Sequence, residues 1–81
     1  MSSAERNKLR WRCRRGMKEL DVMLARYLTR GYPQADEAER LAFTRLLEAS
    51  DPELAAWLIY RHPCPDSQLA LAVAAVCACE G

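Results

Sequence analysis

The stretch KELDVMLARYLTRGYP, residues 18–33, decides the fold class. Leu20, Met23, Leu24, Tyr27 and Leu28 recur at i, i+3, i+4, i+7 and i+8. That spacing lays apolar side chains along one face of an α-helix. Gly31 stands where such a helix needs a C′ residue, and Pro33 forbids continuation. The segment therefore predicts a helix over Lys18–Arg30 that stops sharply and buries one side against the rest of the chain.

Reading outward from it gives four more helices. The first is expected from about Ser3 to Arg14, with Ser2 as N-cap and Gly16 just past its end. Its apolar residues Leu9, Trp11 and Cys13 are sparse, so it should pack through one side only. The third is expected from Ala35 or Asp36 to Ala49. Asp36, Glu37 and Glu39 crowd its first turn, where carboxylates complement the helix dipole. Leu41, Ala42, Phe43, Leu46 and Leu47 give it a wide apolar face. The fourth is expected to start with Asp51 as N-cap, Pro52 at N1 and Glu53 at N2. It would bury Leu54, Trp57 and Leu58, and Tyr60 if it runs that far, before the extended turn His62-Pro63-Cys64-Pro65. The fifth would start at Asp66 or Ser67 and pack through Leu69, Ala72, Val73, Val76 and Cys77. No segment alternates as a half-buried strand does, and no repeat or linker interrupts the chain. Connections of two to five residues make consecutive helices antiparallel neighbours or tight corners. The expectation is an all-α, single-domain five-helix bundle spanning residues 1–81.

Charge is distributed unevenly along these 81 residues, although the net value is only +1. Up to Lys18 the chain carries seven basic residues and one acid, an excess of +6; from Glu19 onward it carries five basic residues and ten acids, an excess of −5. A basic segment on an acidic body favours steered contact with something negative. No run of about 18 apolar residues exists, so no membrane span is expected. The N-terminus lacks the apolar core of a secretory signal, and Ser2 with Glu5 fits a capping box better than a transit peptide. These features place the chain in a bacterial cytoplasm, where its four cysteines should be free thiols. Cys13 and Cys77 are expected to behave as small core hydrophobes.

Little in the sequence supports catalysis. His62, the sole histidine, stands at a helix end where it can meet the last carbonyls, and no partner for it is evident. His62, Cys64, Cys77 and Cys79 are potential metal ligands, but Cys77 and Cys79 diverge on a helix and no zinc-type Cys-x-x-Cys pair is present. The three glycines cannot build a dinucleotide or phosphate loop, so a fold that holds a dinucleotide would have to belong to another protein. Arg10, Arg12, Arg14 and Arg15 with Trp11 make nucleic-acid binding the competing function. However, i, i+2, i+4 spacing spreads those arginines around a helix, and the acidic body would repel a second phosphate contact.

The richest segment is Trp11-Arg12-Cys13-Arg14-Arg15-Gly16-Met17-Lys18-Glu19-Leu20-Asp21. Gly16 breaks the helix between basic residues and bares backbone that a partner could approach closely. Glu19 comes in the first turn of the next helix, where the dipole stabilises a carboxylate. Locally the segment reads either as a binding corner or as a plain turn held by an Arg15–Glu19 ion pair of little energetic value.

Arg15-Gly16-Met17-Lys18-Glu19 resembles the R-G-x-x-E motif of the succinate dehydrogenase assembly factors that promote flavinylation. Trp11, Leu20 and Asp21 extend the likeness, as do Phe43-Thr44-Arg45-Leu46-Leu47-Glu48, Asp51-Pro52-Glu53-Leu54 and Trp57-Leu58, so that it covers roughly residues 7–71. The resemblance implies a five-helix, non-catalytic chaperone. Such a protein binds the flavoprotein subunit of succinate dehydrogenase or fumarate reductase and favours bonding of FAD to a histidine of that subunit. This chain, lacking a glycine-rich loop, is expected to hold no FAD tightly itself. Carried over, Arg15, Gly16 and Glu19 would form the contact surface, with Trp11, Arg14 and Lys18 as neighbours. Asp51, Pro52, Leu54 and Trp57 read as structural. The likeness fades over Ala70–Cys79, where the family often has a charged tail and this chain is rich in alanine and cysteine.

Overall fold

A computed structural model describes residues 3–79 and their side chains from Asn7 onward. The order of elements is α1 (Ser3–Arg12), α2 (Lys18–Arg30), a 3-10 turn (Tyr32–Gln34), α3 (Glu37–Leu46), α4 (Asp51–Leu58) and α5 (Ser67–Ala78). The all-α reading with five helices is borne out, and no strand occurs among the described residues. The expected Ser2–Glu5 capping box lies outside the described residues. None of the described helices is long and apolar enough to cross a membrane.

One continuous core joins all five helices. Leu20, Leu24, Tyr27 and Leu28 of α2 are buried as their spacing requires, whereas Met23 is only half-buried. The most extensive packing is between α3 and α5, which are not consecutive in the chain; α1 rests mainly on α2. An aromatic cluster fills the middle. The rings of Tyr27 and Phe43 lie 4.6 Å apart, and that of Tyr32 lies 6.5 and 5.8 Å from them. The Tyr27 hydroxyl donates to Glu39 Oε2 at 2.6 Å, so burial first and this bond second push its pKa up.

Several helix ends differ from expectation. Gly31 sits at the C-cap with φ −95°, a right-handed value, so it is not a left-handed C′ residue. It is needed for space: a Cβ there would stand 2.6 Å from Cδ1 and Cε1 of Tyr27. α3 ends at Leu46 rather than Ala49, because the chain tightens into i→i+3 bonds from Glu48 N–H to Arg45 O and Ala49 N–H to Leu46 O. The N-cap of α4 is Ser50, not Asp51. Ser50 Oγ accepts from Glu53 N–H while Glu53 Oε1 accepts from Ser50 N–H, a complete capping box that displaces Asp51 to N1. Tyr60 lies beyond the helix and is exposed. The N-cap of α5 is Asp66, whose carboxylate accepts from Leu69 and Gln68 N–H; these bonds, with Arg45 nearby, hold its pKa below the usual value. Of the expected α5 stripe, Ala72 and Val76 are buried, whereas Leu69, Val73 and Cys77 are half-buried.

Candidate functional site

The corner between α1 and α2 is built by a helix that stops early. α1 ends at Arg12, two residues short of the predicted Arg14. Cys13 N–H splits between Leu9 O (3.0 Å) and Arg10 O (3.2 Å), and Arg14 N–H reaches Trp11 O at 3.1 Å. The chain then turns through Gly16 at φ +86°, a left-handed conformation that side chains other than glycine's adopt only under strain. A Cβ placed on Gly16 would have nothing within 4 Å. The backbone is therefore bare on its outer side, as the sequence suggests. Asp21, in the first turn of α2, reaches back and accepts Arg15 N–H at 2.7 Å, which ties the turn to the helix after it.

Arg15 fastens this corner to a distant part of the chain. Its side chain is only 17% exposed. The guanidinium Nε meets Asp51 Oδ1 at 3.0 Å, Nη1 donates to Leu47 O at 2.9 Å and more weakly to Arg12 O at 3.3 Å, and Nη2 donates to Ala49 O. Leu47 and Ala49 lie just past the C-terminus of α3, where carbonyls lack intrahelical donors and the dipole is negative. Asp51 opens α4, where the dipole is positive. One planar cation thus serves a carboxylate and three carbonyls, which the fork of a guanidinium can do and a lysine cannot. The local alternative of an Arg15–Glu19 ion pair is not realised: Arg15 pairs with Asp51, and Glu19 projects outward. Of the expected contact trio, Gly16 and Glu19 lie on the surface, whereas the Arg15 guanidinium is used internally.

The neighbouring residues divide in the same way. Trp11 is 72% exposed, although Leu9 and Cys13 from the same helix end are buried. The Arg14 guanidinium lies 5.7 Å from the Trp11 ring centre, within cation–π range. Arg14, Lys18 and Glu19 are all exposed beside Gly16. Burial pushes the Cys13 thiol up to about 11, against the opposing pull of Arg15, so it stays protonated at neutral pH. Among the described residues no three His, Cys, Asp or Glu side chains converge to hold a metal ion. The corner offers a rigid surface of bare backbone, an indole, and charges of both signs.

Sequence reasoning misses two participants, Leu47 and Ala49, because a backbone carbonyl leaves no trace in residue identity. Asp51 reads in sequence as a helix cap, and its second role emerges only from the fold.

Comparison with known proteins finds a matching family and several relatives. A family described as the flavinator of succinate dehydrogenase matches residues 7–79. A FAD assembly factor SdhE of Xylella fastidiosa (strain 9a5c) is 47% identical over 90% of this chain and 75% of its own length. One from Shewanella oneidensis is 44% identical over 85% of this chain and 84% of its own. That of Legionella pneumophila (strain Paris) is 36% identical over 99% of this chain and 100% of its own. No solved structure gives a match.

Proposed function

Because the chain belongs to the flavinator of succinate dehydrogenase family, we propose that it is a non-catalytic assembly factor that binds the succinate dehydrogenase flavoprotein subunit and promotes covalent attachment of FAD. The fumarate reductase flavoprotein, whose chemistry is closely related, is a second client, and a bacterial cytoplasm is the place of action. FAD stays with the partner; this chain contributes a surface.

The observation that carries the proposal is Gly16, left-handed and open on its outer face while Arg15 anchors it from behind. A site made for close backbone approach must be bare and must also hold its shape. Rigidity matters because an ordered surface loses little entropy when it docks. Glu19 and Lys18 lie beside the bare turn and give the contact orientation through complementary charge. Binding that favours one conformation of the subunit raises the population in which the flavin and its attachment residue are aligned. The acceleration is then one of positioning, and no side chain of this protein enters the reaction.

Calorimetric titration of the separately purified flavoprotein subunits tests the proposal. A saturable 1:1 complex with the succinate dehydrogenase subunit supports it, and a like complex with the fumarate reductase subunit supports the wider client range. Absence of binding to either subunit would refute the assignment.

A further inference from the structure

A groove of about 820 Å³ runs between α1 and α2 beside the corner. Its floor includes the buried Leu28, its wall is the exposed indole of Trp11, and Arg10 and Arg14 stand over it. Asn7 and Thr29 also line it and offer neutral hydrogen-bonding groups. Neither Arg10 nor Arg14 has an ion pair among the described residues. The one acid lining it, Asp21, has an oxygen engaged by Arg15 N–H. The groove thus combines a rim of net positive charge, two guanidiniums against one carboxylate, with a flat apolar surface and scattered neutral donors and acceptors.

A large exposed indole is costly to leave in water and favourable to cover, and Trp and Arg dominate the energetics of protein contacts. Two unpaired guanidiniums beside it select for carboxylates, with the bidentate geometry that arginine provides. Asn7 and Thr29 suit the peptide groups of a chain laid along the groove. The groove is an open trough between helices, with no glycine-rich cradle for a phosphate, so its shape fits a length of chain. We propose that this α1–α2 groove receives an acidic, extended segment of the flavoprotein partner, with one apolar side chain of that segment seated on Trp11. The inference rests on the assembly reading and extends its contact surface from the Gly16 corner into the adjoining α1–α2 groove.

The test uses the full chain labelled with 5-fluorotryptophan. Its two signals come from Trp11 and from Trp57, which is 9% exposed, and a Trp11→Phe sample assigns them. The unlabelled succinate dehydrogenase flavoprotein subunit is then added in light and heavy water. The Trp11 signal is expected to lose its solvent isotope shift in the complex while that of Trp57 does not change. Arg10→Glu/Arg14→Glu, both exposed positions, should bind at least about tenfold more weakly at low salt and lose most of the salt dependence of binding. An unchanged Trp57 signal in that variant reports that the fold is intact. A complex in which Trp11 keeps its full isotope shift, or which the double variant forms as tightly as the parent, would overturn the groove inference and leave the assembly role standing. No complex at all would overturn both. Protection of Trp11 by a short duplex DNA, with none by the subunit, would assign the groove to nucleic acid and overturn the inference.

Discussion

Two of the breaks between helices pass through a left-handed residue, yet their contacts differ in reach, as Arg15 shows. In the α1–α2 corner the residue is Gly16 at φ +86°; in the α4–α5 connection it is Arg61 at φ +58°. The second break carries local backbone bonds. Tyr60 N–H donates to Ala55 O, His62 N–H donates to Ala56 O, and Pro63 and Pro65 stiffen the stretch that leads into α5. The first is held from across the chain, by an arginine three of whose side-chain acceptors lie 32 to 36 residues away. Long-range anchoring of this turn, beyond the local bond from Arg15 N–H to Asp21, indicates that the shape of the corner is itself what the fold maintains.

Substitutions at the first break and along its anchor can sharpen or erase that reading. The largest effect is expected from Gly16→Arg, which adds bulk where a partner must come close. Affinity for the flavoprotein subunit should fall at least about 100-fold, roughly 2.7 kcal/mol. The left-handed strain should cost only about 1–2 kcal/mol of stability, so calorimetry and circular dichroism should still find a folded monomer. Unimpaired binding would break the close-approach argument. Next is Arg15→Ala, which strands Asp51 and the carbonyls of Leu47 and Ala49. A loss of about 2–3 kcal/mol in urea unfolding is expected, with Arg15→Lys recovering less than half of it. Ser50→Ala, removing the α4 cap at the far end of the anchor, should cost about 1 kcal/mol.

Much of the fold is legible in the sequence, and the remainder fails for specific reasons. The periodicity of Leu20, Leu24, Tyr27 and Leu28 gives α2 to the residue, because burial on one face and helical spacing are the same fact. The left-handed turn at Gly16 is readable from glycine after a basic helix end. Gly31 looks like a second case and is not: it makes room for the Tyr27 ring, a tertiary requirement with the same residue preference. Ser50 and Asp51 are both good caps, and only Ser50 has Glu53 at the distance that closes a box; Asp51 is engaged elsewhere by Arg15. Apolar character groups Trp11 with Leu9 and Cys13, and its exposure is visible only once α1 is laid on α2. Arg14 and Arg15 are indistinguishable as letters. One faces out over an indole and the other faces in toward two helix ends, and the difference depends on where α3 and α4 are placed by the fold.

The most direct test of the account is covalent flavin fluorescence of the denatured succinate dehydrogenase flavoprotein subunit, produced alone, with this protein, or with its Glu19→Ala variant. Glu19 is exposed and has no role in the core, so the variant should fold normally. The account predicts a strong signal with the native protein and a weak one in the other two conditions. Equal signals in all three would contradict it.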